Sequence, residues 1–268
     1  MYNDKHKLKF VHLYPEEMNI YGDMGNVLTL KKRCEWRGIE FEITNINLNS
    51  NKFEQGDIYF MGGGQDNDMY KVFEDLQKYK NTFLNDEIAN NKQFLLICGG
   101  FQLFGKYFID FQGRQISGLG ILPLETKAPS DNLHDRCLGN LVTEINPNLI
   151  EEVNKYYGKK SSNYLVGFEN HGGQTYFTDD SVSPLGKVII GSGNNSKEMI
   201  EGVFYKNIIG SYMHGSLLPK NPHLADFIIG RALFRKYGES FQLTTLNDSV
   251  EWNSHKAILN KMGVTYNF

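Results

Sequence analysis

The sequence predicts an α/β protein: a mostly parallel central sheet flanked by helices, with an extra β-rich layer. Three observations lead there. Through the first 108 residues, short apolar runs alternate with segments of helical period, the grammar of parallel strands joined by covering helices. Beyond Phe108, glycines at 113, 118 and 120 and prolines at 123 and 129 cut the chain into short pieces, as closely spaced strands require. No linker-like stretch separates the two textures, so the layer is expected to belong to the same unit. Residues 1–240 read as one domain, and 241–268 as a C-terminal extension whose helix packs on it.

The elements follow in order. "LKFVHLY" (8–14) is a buried strand, and Asn26 to Arg37 sets Val27, Leu30 and Cys34 at helical spacing before a stop at Gly38. "IEFEITNI" (39–46) alternates as a half-exposed strand does, and "DIYFMGGG" (57–64) is a short apolar run ending in glycines. Tyr70 to Asn90 is helical in pattern with a break near Asn81, and "FLLI" (94–97) is the next strand. Further strands are expected at 138–145, 164–168, 187–191, 200–204 and 208–213. In the helix 221–238, Leu224, Phe227, Ile228 and Ala232 share a face, Pro222 lies in the first turn and Gly238 ends it. A last helix spans about Val250 to Lys261.

Composition excludes several classes. The chain has 268 residues, a formal net charge of −3 and scattered lysines, which argues against a broad nucleic-acid surface. No segment approaches the roughly 18 apolar residues of a membrane span, and the polar N-terminus lacks a signal-peptide core. Cys34, Cys98 and Cys137 are odd in number and far apart, a poor disulfide framework. The expected location is cytoplasmic, which makes the sequons at Asn194 and Asn247 chance matches.

In an open parallel sheet, sites form at the carboxyl ends of strands. Three candidates fall there. Gly62-Gly63-Gly64 leaves backbone N–H groups bare, which suits an oxyanion or carboxylate; an ordinary tight loop has the same composition. Cys98 sits between "FLLI" and Gly99-Gly100, where a nucleophile elbow needs a small residue two positions on. Leu96, two positions before, departs from that pattern, and a small buried thiol in a turn remains the competing interpretation. A helix starting after Cys98 would favour its thiolate, and the Gly99 N–H would help bind an oxyanion. Cys34 and Cys137 are assigned to packing.

A cysteine nucleophile needs a base. His171 and His214 both end apolar strands beside glycines, and His214 is the better placed to reach the edge that carries Cys98. No metal-ligand spacing, Walker-A lysine or G-x-G-x-x-G helix start appears. Glu16-Glu17 and Asp66/Asp68 fall on expected loops and read as solvated. Among the aromatic residues near the site, Tyr14, Tyr21 and Phe168 are assigned to packing rather than to an interface.

"ICGGFQLFG" and "GSYMHG" resemble the nucleophile and histidine segments of class I glutamine amidotransferases of the cobyric acid synthase-like branch. With "LYPEEMNIYGDMGN" (13–26), "GGGQDND" (62–68), "GFENHGG" (167–173) and "YMHGSLLPKNP" (212–222), they resemble the GatD family, the glutaminase subunits of lipid II isoglutaminyl synthase. The segments run in the same order from about residue 8 to 240. The resemblance implies that Cys98 attacks the side-chain amide of glutamine, that His214 moves the proton, and that Gly63, Gly64 and Gly99 hold the oxyanion. It implies Arg136 and Gln102 as substrate-binding residues, Arg136 for the α-carboxylate. It implies a heterodimer with a Mur ligase-like partner, MurT, which carries the ATP and Mg and presents lipid II; no cofactor is expected in this chain. Where many relatives have His-Pro-Glu, this chain has His214-Gly215-Ser216, so the group orienting His214 is left open. The alternatives are an amidotransferase serving a corrinoid-type synthetase, a catalytically silent binding subunit of the same fold, and a cysteine peptidase.

Overall fold

The structure, a computed structural model, describes residues 6–50, 53–129, 136–238 and 242–267. Six strands form the central sheet in the order Val203–Tyr205, Ile208–Ser211, Gln93–Ile97, Ile58–Met61, Lys7–Leu13, Glu40–Ile46. All neighbours are parallel except the edge pair Val203–Tyr205 and Ile208–Ser211. Ile58–Met61 and Gln93–Ile97 are buried at every position, because helices cover both faces of the sheet's middle. Glu40–Ile46 lies at the edge and stays mostly open to solvent, in keeping with its alternating sequence.

The helical stretch after the glycine loop starts earlier than its periodicity suggests. It runs as Asp66–Asp75, a π turn at Leu76–Lys80, and Asn81–Ala89. The expected break near Asn81 is therefore a change of winding. Lys80, at the end of the π turn, is buried and paired with Asp75, which also accepts the Tyr14 hydroxyl at 2.7 Å. Asp66 and Asp68, expected on a loop, occupy the first turn of the helix, where carboxylates suit the helix dipole.

The β-rich layer is two sheets. One is antiparallel, in the order Ile200–Glu201, Gly186–Ile190, Cys137–Ile145, Tyr164–His171, Met213–His214. The other orders Gln174–Phe177, Leu124–Lys127, Tyr107–Ile109 and Gln115–Ser117, four short strands the sequence did not announce. The expected strand 208–213 splits between sheets: Ile208–Ser211 stays in the central one, and Met213–His214 crosses to pair with Phe168 and Glu169. Glu201 makes the crossing tolerable. Its buried carboxylate accepts Ser211 Oγ at 2.7 Å and the Tyr212 N–H at 2.8 Å, so the backbone that leaves one sheet is not left unbonded.

A helix at Pro147–Tyr157 was also missed, although its signals were present. Asn146 caps it through the Asn148 N–H, proline opens it, and Gly158 ends it in the left-handed region. The final helix, Ser249–Lys261, adds Leu259 to a small core with Val142 and Val166 on the antiparallel sheet. Just before it, Asp248 accepts Arg33 Nη1 at 2.7 Å and the Tyr157 hydroxyl at 2.8 Å.

Candidate active site

Cys98 leaves the sheet directly after Gln93–Ile97, and its backbone sits at φ 49°, ψ −107°. A side-chain-bearing residue at that φ is strained and persists only where its surroundings hold it. What holds it is a close backbone approach. A Cβ on Gly100 would lie 2.7 Å from Met61 O and 3.0 Å from Gly62 O, so only glycine fits two positions after the cysteine. Leu96, the residue that argued against an elbow, is fully buried opposite Met61 in the central strand. The helix that follows, Gly99–Leu103, is five residues long. Its macrodipole is correspondingly small, because few peptide units are aligned.

His214 arrives from the far side of the same edge. The ring is fully buried, and Nδ1 donates to Asp23 Oδ1 at 3.0 Å. Asp23 precedes helix Met24–Glu35 at its N-cap position, yet its side chain makes no capping bond. Its second oxygen instead accepts the Gly63 N–H at 2.8 Å. This is the orienting acceptor that the sequence left unidentified. Nε2 of His214 has no aligned hydrogen-bond partner among the described residues, and it is the nitrogen left for Cys98. Burial works against a proton on His214, but the negative charge at Cys98, the bond to Asp23 and the closeness of Cys98 outweigh it and push its pKa up to about 10.

Gly63 lies between the two side chains. A Cβ there would meet His214 Cε1 at 2.7 Å and Cys98 Cβ at 3.4 Å. Its N–H, expected to face an oxyanion, is already taken by Asp23, so that expectation is corrected: Gly63 makes room and holds the carboxylate. The Gly64 amide nitrogen lies 3.1 Å from where a Gly99 Cβ would stand, and no backbone bond engages it among the described residues. Gly99 opens a helix, so no intrahelical carbonyl can reach its N–H. Two amides thus remain beside the thiol.

Over Cys98 lies a cavity of about 390 Å³. Arg136, from the start of strand Cys137–Ile145, lines it; its Nε donates to Asn170 Oδ1 at 2.6 Å and its Nη2 to Asn170 O at 3.2 Å. Gln102 lines it too, with Nε2 donated to the Tyr212 hydroxyl at 3.0 Å. His171 belongs to the cavity wall, stacked on Tyr212 at 3.7 Å with Nδ1 donating to Gly173 O at 2.7 Å. Asp66 also borders the cavity, so it is not the simple solvated group its sequence context suggested. Among the aromatic residues assigned to packing, Tyr14 is fully buried, but Tyr21 is 41% and Phe168 36% exposed. The Tyr21 ring stands edge-on to His214 at 5.1 Å. No cluster of metal ligands occurs among the described residues, and none of their helices is long and apolar enough to cross a membrane.

The arrangement can carry out acyl transfer: a thiol, an imidazole oriented by a carboxylate, and amide donors around one point. Comparison with known proteins agrees with that chemistry. Residues 9–222 match the CobB/CobQ-like glutamine amidotransferase domain. The chain is 37% identical over 247 residues to the GatD subunit of the glutamine-hydrolysing lipid II isoglutaminyl synthase of Streptococcus pneumoniae, covering 92% of this chain and 88% of that one. To the corresponding Staphylococcus aureus subunit it is 34% identical over 257 residues, 96% of each. A cobyric acid synthase from Thermodesulfovibrio yellowstonii is 26% identical over 195 residues, but the match spans only 34% of that enzyme. Among solved structures, the glutaminase domain of Trypanosoma brucei CTPS with bound acivicin shares the fold, with a TM-score of 0.51 at 13% identity over 90% of this chain and 98% of that one. A structure described as a glutamine amidotransferase gives a TM-score of 0.53, also at 13% identity, over 83% of this chain and 98% of that one.

Proposed function

The chain belongs to the CobB/CobQ-like glutamine amidotransferase family, and from that premise we propose that it is the glutaminase subunit of a synthase that amidates lipid II. Glutamine is hydrolysed to glutamate and ammonia at Cys98. The ammonia passes to a Mur ligase-like partner, MurT, which uses ATP and Mg to activate the α-carboxyl of D-glutamate in the stem peptide. Cytoplasmic placement suits the reaction and the three free, buried cysteines.

In this reading the Cys98 thiolate attacks the amide carbon of glutamine. The oxyanion is received by the N–H groups of Gly99 and Gly64, a contribution worth about 10²–10³-fold in rate per donor in related chemistry. The C–N bond breaks as His214 Nε2 gives its proton to the leaving nitrogen, and a γ-glutamyl thioester remains on Sγ. Water, deprotonated by the now neutral His214, then attacks the thioester and expels Cys98 as thiolate. Asp23 keeps the Nδ1 proton in place and stabilises the imidazolium through each half-reaction. Arg136 binds the substrate α-carboxylate as a planar fork, and Gln102 contributes to the floor of the substrate site.

The observation that carries this reading is Asp23 bonded to His214, with His214 and Cys98 both against Gly63 and the cysteine held at positive φ under an open cavity. It is tested with the purified chain, alone and with a Mur ligase-like partner from the same cell. Glutamate release from glutamine is expected, and Cys98→Ala should lower it by at least about 10³-fold. Robust hydrolysis by that variant would sink the glutaminase assignment. Failure of the folded chain to associate with any Mur ligase-like protein would sink the lipid II assignment alone.

A further inference from the structure

The cavity over Cys98 has two electrical poles. Among its described lining residues the fixed charges are Asp66 and Arg136. Asp66 comes from the first turn of helix Asp66–Asp75, directly after the glycine loop, and Arg136 from the opposite, antiparallel layer. The two do not form an ion pair, although each lies within the other's field. A neighbouring carboxylate, Asp110, is fully engaged: Arg114 Nε reaches it at 2.7 Å, the Tyr70 hydroxyl at 3.0 Å, and the N–H groups of Gln112 and Arg114 at 2.9 and 2.8 Å. Asp66 has no such partner among the described residues. Burial, and then the charge of Asp110, push its pKa up, so a cation beside it would relieve an unfavourable position.

Glutamine carries a carboxylate and an ammonium on one carbon, a short aliphatic chain away from the amide that must reach Cys98. We propose that Asp66 is the binding residue for the α-ammonium of the substrate and selects amino-acid amides over amides that lack it. The inference rests on the glutaminase reading above and extends it to a residue that the family-like motifs did not assign. Asp66 takes no part in bond making. It fixes the Cα end of the substrate while Arg136 takes the carboxylate, and two poles on one carbon set both the reach and the hand of the ligand. A helix-stabilising role for an acidic residue in a first turn is the competing explanation, and it would act on every substrate alike.

That difference gives the test. The full chain, with its synthetase partner, is assayed for ammonia release from glutamine and from 5-amino-5-oxopentanoate, which is glutamine without the α-amino group. Asp66→Asn should raise KM for glutamine about 10- to 100-fold with kcat little changed. The same variant should leave kcat/KM for the des-amino amide within about threefold of wild type, and Asp66→Glu should recover part of the glutamine loss. Equal losses on both substrates, or no loss on glutamine, would overturn the assignment of Asp66 while leaving the glutaminase reading standing. Absence of any Cys98-dependent ammonia release from glutamine would overturn both.

Discussion

The two walls of the cavity are built differently. The buried side gathers Cys98 from the end of a parallel strand, Asp23 from the start of helix Met24–Glu35 and His214 from the strand that crosses into the antiparallel sheet, at 7%, 0% and 0% exposure. The antiparallel layer supplies Arg136 and Asn170, which are partly or largely open to solvent. A strand end in a parallel sheet fixes where the next residue goes, and burial lowers the local dielectric, so groups that exchange charge and protons are held at short, strong distances. Substrate has to enter past the other wall, and its charges are paired there across an open mouth. The difference teaches a division of labour: changes to the buried groups Cys98, His214 and Asp23 should lower kcat, and changes to the charged groups at the open mouth, Arg136 and Asp66, should raise KM.

The sharpest way to break that division is Gly63→Ala. Its methyl would stand 2.7 Å from His214 Cε1 and 3.4 Å from Cys98 Cβ, pushing the base away from the thiol while leaving Arg136 and Asp66 in place. Since about 1 Å of misplacement costs on the order of 10²-fold, kcat should fall at least that far while KM holds within about threefold. Steady-state kinetics on glutamine decide it. A large rise in KM with kcat preserved would erase the distinction between the walls.

Asp23→Asn comes next, with kcat expected to fall about 10- to 100-fold. Its pH profile is more telling. In the folded chain His214 keeps its proton up to about pH 10, against 6.5 for the free group. A raised pKa stabilises the protonated state, so the contribution is full below about pH 6.5 and is lost as pH climbs through 10. The alkaline limb of kcat/KM should lie near 10 in the wild type and move to lower pH in Asp23→Asn, which loses one of the contributions that raise it. An unshifted limb would remove Asp23 from the account. The smallest effect belongs to the layer: Arg136→Ala should raise KM for glutamine about 10-fold, and a fall confined to kcat would contradict its placement.

The parts of this site that could be read from sequence are those with a local cause. Cys98 follows an apolar strand and precedes the glycine that its sharp turn demands, and His214 ends another strand; both signals lie within a few adjacent residues. Asp23 had no such signal. It stands before a helix, where aspartate is an ordinary cap, and its partner is 191 residues away in the chain. Only its failure to cap gives it away, and that shows only once the side chain is placed. Gly63 shows the same limit from the other direction: the glycine triplet was visible, but which amide faces the cavity depends on Asp23. The short strands after Phe108 were illegible because three- and four-residue pairings are set by neighbours rather than by periodicity. The helix at Pro147–Tyr157 carried its cap, proline and glycine stop in plain view, within a stretch whose other segments are strands.

The central claim is that glutamine is opened at Cys98, and a covalent intermediate tests it directly. The chain, with its partner, is mixed with glutamine, quenched in acid during turnover, digested, and examined by mass spectrometry. A γ-glutamyl adduct is predicted on the peptide containing Cys98, absent from Cys34 and Cys137 and from the Cys98→Ala protein. An adduct on another residue, or an unmodified Cys98 peptide while the thioester is trapped elsewhere during glutamine hydrolysis, would contradict it.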